Sequence, residues 1–344
     1  MAALIISLVL AVILGFAAHR ASVCTVRAVA EVMHARTGYM FASIAKSILW
    51  IVAVTVPVFW FFPATTEGLA GWSLGGWSLT GTALLGGLVF GLGAGINGAC
   101  AYSTMARLVD GEGAMLVAVL GFAAGVLGFI GLLDMGAVDR PSPAPVLIAA
   151  YLDWAIVVAG LIVLWCLYEI VRLWRARPDS GRFRDRALAR QYRLSSAALV
   201  IGLTGAAIFL LFGQAGYSST FELIVEGALG TKPWPSMGRW LLLVAVLVGM
   251  FLSTLQRGGL RLDWRPRLSW LRNLAGGALM GLGVALAPGG NDVLVLYGIP
   301  TLSPHALPVY AALVVGVTIG LLLMRRLFGI EMRVSCRNDV YVSG

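Results

Sequence analysis

Charge is what this chain has least of. Asp, Glu, Lys and Arg supply 12% of its 344 residues, about half of what a soluble domain uses to cover its surface. With 59% hydrophobic residues and a mean hydropathy of +0.90, a water-soluble globule is excluded. Lysine is nearly missing, since Lys46 and Lys232 are the only two. Histidine is as scarce, with His19, His34 and His305, too few to assemble a haem or multi-metal centre. Four cysteines, Cys24, Cys100, Cys166 and Cys336, include no C-x-x-C pair, which argues against a zinc site and names no disulfide partner. No P-loop GxxxxGK[ST] occurs, so ATP, if used, has to come from another protein. No cofactor and no metal are expected.

What is abundant points to a membrane. Forty-three glycines suit helices whose backbones approach closely in lipid. A span needs about 20 mostly apolar residues, and runs of that kind lie at 2–18, 39–62, 80–97, 114–133, 152–171, 196–213, 239–256, 274–289 and 307–324. The first lacks a basic leader and a small-residue cleavage site, and reads as a retained span. The net charge of +9 sits mainly in two loops. Arg172–Arg193 carries eight arginines against Asp179 and Asp185, and Arg257–Arg272 carries five against Asp263. Such loops stay in the cytoplasm, so they report orientation in a bacterial inner membrane rather than nucleic-acid binding. Contact with anionic lipid is a secondary reading of the central loop. Two spans separate the loops, so both fall on one side. The N-terminus is then expected outside and the C-terminus inside.

Four glycine-bearing helices each run into a short polar segment: LGFAAHRASVCT (14–25), GLGAGINGACAYST (91–104), LLFGQAGYSST (210–220) and GLGVALAPGGND (281–292). With Cys24, Cys100, Gly216 and Asn291 as anchors, the separations are 76, 116 and 75 residues. Equal spacing in two halves with one odd span between them predicts a second half inserted upside down. The expectation is an all-α integral membrane protein of about nine transmembrane helices. It comprises two inverted four-helix repeats plus a linking helix, with short re-entrant segments. Residues 1–150 form the first repeat, 151–194 the linking span and basic loop, and 195–344 the second repeat and tail. Inverted repeats with broken helices are a recurring transporter architecture, with substrate bound between the halves.

At RASVCTVRA and INGACAYST the pattern resembles the YeeE/YedE family of bacterial membrane proteins, associated with uptake of thiosulfate and related sulfur compounds. The resemblance implies a transporter rather than an enzyme, with Cys24 and Cys100 touching a small sulfur-containing anion at a central constriction. Two departures stand out. The second segment reads Ala99-Cys100-Ala101-Tyr102, where the family usually has glycine-cysteine followed by a small-residue and histidine stretch. The fourth has Gly290, Asn291 and Asp292 where the family usually carries another cysteine. These three are the expected substitutes at that station.

The chemistry agrees with such a role. A thiol is a weak, uncharged and polarizable donor, able to touch a soft anion without trapping it. Passage needs several weak sites rather than one tight one. The bland reading of each cysteine is a small buried hydrophobe, preferred for Cys166 and Cys336. Lys46, in the second apolar run, either lends positive potential to an anion path or snorkels to the interface. An acid at 292 repels an anion unless protonated or paired, and can instead cap the short helix that follows. Glu222 and Glu226 are expected to face water. Two other function classes compete: a redox subunit using Cys24 and Cys100 as a thiol pair, and a receptor reporting a sulfur species to a cytoplasmic partner. A cytoplasmic sulfur-carrier or regulator protein is the partner class considered, alongside the lipid bilayer.

Overall fold

Four of the long apolar runs end where the chain adopts a left-handed residue, and those stops shape the molecule. The computed structural model describes residues 2–61, 76–146, 152–175 and 189–343. Helix α1 (Ala2–Ala21) stops at Ser22 (φ 55°) before α2 (Thr25–Ala35). After α3 (Tyr39–Phe61), α4 (Gly81–Asn97) stops at Gly98 (φ 72°) before α5 (Ala101–Val109), and α6 (Ala114–Asp134) closes the first half. Helix α7 (Leu152–Arg175) follows. In the second half, α8 (Leu194–Phe212) stops at Gly213 (φ 84°) before α9 (Tyr217–Ala228). Helix α10 (Met237–Arg257) comes next. Then α11 (Ser269–Leu286) stops around Pro288 and Gly289 (φ 136°) before α12, whose first turn Asn291–Val293 continues as a π turn through Gly298. Helix α13 (Ala306–Phe328) completes the set. Glycine carries such dihedrals without the Cβ clash that other residues meet.

Among the described residues, seven helical stretches suit a bilayer by length and hydropathy, eight if the bent α11–α12 pair is one span. Nine spans were expected. That pair turns by 47° at its break, because Pro288 offers no backbone N–H and Gly289 is left-handed. The 24-residue α7 occupies the position of the linking span but is not among the seven. Helices α1 with α2, and α4 with α5, run on as interrupted stretches of 34 and 29 residues. Large apolar side chains such as Leu120, Leu127 and Leu164 point outward, the surface a membrane protein presents to lipid.

Helix pairing comes in matched sets. Helix α1 packs on α10, as α8 packs on α3. Helix α4 packs on α13, as α11 packs on α6. The pairs α1–α8 and α4–α11 join the halves across the middle. When α1–α6 exchange with α8–α13, the members of each of the first two sets map onto each other and the α1–α8 and α4–α11 pairs map onto themselves. Without a hydrophobic drive between helices in lipid, small residues at the seams supply the contact. A Cβ on Gly91 would overlap the Leu313 carbonyl, and one on Gly316 the Leu88 carbonyl, so α4 and α13 touch backbone to backbone.

Two polar ties brace the end carrying the basic loops. Asp110, between α5 and α6, accepts from Thr254 Oγ1 (2.7 Å), pairs with Arg257 (3.2 Å) and lies 3.4 Å from His19 Nε2. Strands β3 (Val334–Arg337) and β4 (Val340–Ser343) form a C-terminal hairpin packed on α2. Its Asp339 caps α8, accepting from Leu194 N at the carbonyl (2.7 Å) and from Ser195 N at the carboxylate (3.1 Å). At the other end, β1 (Gly76–Trp77) pairs antiparallel with β2 (Pro143–Ala144).

Candidate functional site

The four short segments converge where the two halves meet. Their N-cap positions are Cys24, Cys100, Gly216 and Gly290. Each break stops one helix and restarts another, so the N–H groups of the new first turn point at the gap, and a helix start favours negative charge. The four starts are filled in two different ways.

On the first-half side they are filled by sulfur. Cys24 Sγ lies 3.2 Å from Cys100 Sγ, and both thiols are buried. Neither cysteine's side chain caps its own helix. Cys100 is held by its own helix and by the preceding one. Thr104 Oγ1 donates to the Cys100 carbonyl (2.9 Å), and Asn97 Nδ2 donates to Thr104 Oγ1 (2.9 Å) and the Ala99 carbonyl (3.1 Å).

On the second-half side they are filled by a carboxylate. Asp292 accepts from Ser218 N (3.1 Å) and from Ser218 Oγ, and Ser218 Oγ accepts from Gly290 N (3.1 Å). Asp292 therefore caps α9 across the gap. Tyr102 and Tyr217 bridge the two sides with ring centroids 5.6 Å apart, and Tyr102 Oη donates to the Gly15 carbonyl (3.2 Å).

A small cavity of about 70 Å³ lies at this junction, lined among others by Cys24, Thr25, Tyr102, Tyr217, Asn291 and Asp292. That is room for a few waters or a small ion. The buried Asn291 Oδ1 has no hydrogen-bond partner among the described residues.

Five of the six residues singled out from sequence thus meet here: Cys24, Cys100, Gly290, Asn291 and Asp292. Lys46 does not. Its Nζ donates to Glu169 Oε1 and to Ser195 Oγ, both at 2.7 Å, and Glu169 also pairs with Arg172 (2.6 Å). Glu169 is buried on α7, and an uncompensated carboxylate there would be costly, which is why the lysine turns to it. Glu222 and Glu226 are buried rather than water-facing. Lys232 pairs with both, and Arg140 pairs with Glu226 (2.9 Å). The other two cysteines lie elsewhere, Cys166 on α7 and Cys336 in the hairpin. Burial, with the Glu31 carboxylate beside it, pushes the Cys336 thiol up to about 12, so it stays protonated and inert.

Tyr102, Tyr217 and Ser218 were not singled out from sequence. Their signal was position alone, one or two residues after a helix break. A family model described as sulphur transport (Sulf_transp) matches residues 20–319, a range that contains the whole convergence. No curated protein matches the chain.

Proposed function

We propose that this chain, which belongs to the sulphur-transport (YeeE/YedE) family, passes thiosulfate or a related small sulfur-containing anion across a bacterial inner membrane. The observation that carries the reading is the buried Cys24–Cys100 contact at two helix starts whose N-cap side chains make no capping hydrogen bond. There the first-turn N–H groups draw the anion's charge while the thiols meet its soft sulfur. Asp292 occupies the opposing helix starts, so the anion is attracted on one side only and is not trapped. The two halves act as inverted repeats over 1–150 and 195–344, with 151–194 linking them. The arginine-rich loops face the cytoplasm, where a sulfur-carrier or regulator protein would receive the cargo.

Uptake of labelled thiosulfate into proteoliposomes tests this directly. Saturable uptake that unlabelled thiosulfate competes away is expected. The sulfur contact also favours a second reading, a redox or sensing subunit built on the thiol pair. That reading predicts no uptake and a thiol signal that changes with the sulfur compound added.

A further inference from the structure

The loop that joins α10 to α11 turns apolar side chains outward. Leu262 and Leu268 are 76% and 85% exposed, and Trp264 and Leu271 are exposed as well. The loop is bonded in this position. Arg261 N donates to the Asp110 carbonyl (2.8 Å), Asp263 N to the Gly111 carbonyl (3.1 Å), and Gly113 N to the Asp263 carbonyl (3.0 Å). One part of the Trp264 ring packs on Gly113, where a Cβ would come within 2.9 Å of it. A fixed apolar surface of this kind is costly in water. Between two membrane helices it suits the headgroup zone, where tryptophan and leucine enter the acyl boundary and arginines reach the headgroups.

The arginines of this loop sort by their partners. Arg257 pairs with Asp110, and Arg267 with Asp263 (3.1 Å). Among the described residues, the guanidinium groups of Arg261, Arg265 and Arg272 make no hydrogen bond or ion pair. Arg261 and Arg265 are exposed, so water serves them. Arg272 differs. It is half-buried, its Nε is enclosed without a partner, and only its terminal nitrogens reach the surface. It stands in the first turn of α11, beside Leu271 and one turn beyond Leu268. The charge acting on it is another cation, Arg107, which Glu112 already holds.

A cation partly withdrawn from water, beside a second cation and among apolar side chains, is completed by an anion. The guanidinium fork matches two oxygens of one phosphate. The exposed leucines next to it fit acyl chains, so the anion that satisfies both is a phospholipid. A zwitterionic headgroup would bring its own ammonium toward Arg272 and Arg107, and an anionic one does not. We infer that Arg272 and the α10–α11 loop form a binding site for an anionic phospholipid of the leaflet on the basic-loop side. Its phosphate sits on Arg272 and its chains lie along Leu268 and Leu271. The inference does not depend on the transport reading.

Native mass spectrometry of the full chain in detergent counts the lipid molecules bound. The probes are dioleoyl phosphatidylglycerol, dioleoyl phosphatidylcholine and inorganic phosphate. The parent is expected to bind phosphatidylglycerol about tenfold or more tightly than phosphatidylcholine. Arg272→Gln should weaken phosphatidylglycerol by a similar factor, and Arg272→Lys, which keeps the charge and loses the fork, by less. Arg326→Gln removes an exposed charge at the end of α13 and should bind like the parent. Melting curves in detergent show which variants are folded, and the comparison of the two lipids on the parent needs no variant. Equal affinity of the parent for both lipids overturns the proposal, as does full affinity in both Arg272 variants. An equal loss in Arg272→Gln and Arg326→Gln also overturns it, since the attraction is then one of general charge. So does displacement of phosphatidylglycerol by an equal concentration of inorganic phosphate, which would mark a site for the free ion.

Discussion

The carboxylate of Asp292 ends on Ser218, 74 residues earlier in the chain, taking both the backbone N–H and the hydroxyl. One residue thereby neutralises the start of α9 and ties it to α12, on the side of the junction facing the cysteines. Both donors are neutral, so they stabilise the carboxylate without cancelling its charge.

Replacement of this acid separates structure from transport. Asp292→Ala leaves the buried Ser218 N–H unpaired and should cost about 1–3 kcal/mol, visible as a lower melting temperature in detergent. Asp292→Asn keeps one acceptor oxygen and should melt closer to the parent, with uptake preserved or improved. A folded Asp292→Asn protein without uptake would mean that the acid itself takes part in transport, by holding a proton or a coupling cation.

Lys46 provides the opposite case. With its ammonium on Glu169 and Ser195, Lys46→Met should destabilise the protein by roughly 2 kcal/mol, the scale of a hydrogen bond to a charged group. The remaining Arg172 contact limits the loss. Adding Glu169→Gln should recover part of it, since the stranded carboxylate is then gone. The KM for uptake should not change in either variant. A large rise in KM for Lys46→Met would return this lysine to the anion path.

The helix breaks were legible in the sequence because glycine and polar residues interrupt apolar runs at matched spacing, which located Cys24, Cys100 and the 290–292 segment. Which charges find each other was not legible. Lys46 and Glu169 are 123 residues apart, and no local pattern joins them. Glu222 and Glu226 lie four apart on a short amphipathic helix, which reads as a solvated face until Arg140 and Lys232 close over it.

Asp110 makes stability depend on acidity at the opposite end of the bundle. Burial pushes its carboxyl up, but hydrogen bonds from His19 and Thr254, with the charge of Arg257, outweigh that and hold it below the usual carboxylate value. A carboxyl lowered on folding contributes stability that is present above its unfolded value, about 4. That stability is lost as pH falls through the lower folded value. Melting temperatures measured from pH 7 to pH 3 should therefore drop more steeply below about pH 4 for the parent than for Asp110→Asn. Parallel curves would show that the cluster contributes nothing linked to protons.

The cysteines supply their own controls. All four are buried, so truncation of any one to alanine leaves a small void and costs about 1 kcal/mol. Stability alone cannot then distinguish them. Cys336 packs in the same core cluster as Cys24 and Cys100, so Cys336→Ala should melt lower than the parent, where a residue in a free tail would be silent. Cys166 lies on α7, away from the helix breaks. Only Cys24 and Cys100 stand at helix starts as N-cap residues whose side chains make no capping hydrogen bond, with their sulfurs in contact. Uptake is expected to fall sharply in Cys24→Ala and in Cys100→Ala and to remain near parental in Cys166→Ala and Cys336→Ala, with all four melting similarly. Serine at 24 or 100 keeps a donor and loses the polarizable sulfur, so its activity measures how much of the contact is hydrogen bonding. If the two alanine variants at the junction transport as well as Cys166→Ala, the thiols are packing residues, and the anion is carried by the helix starts alone.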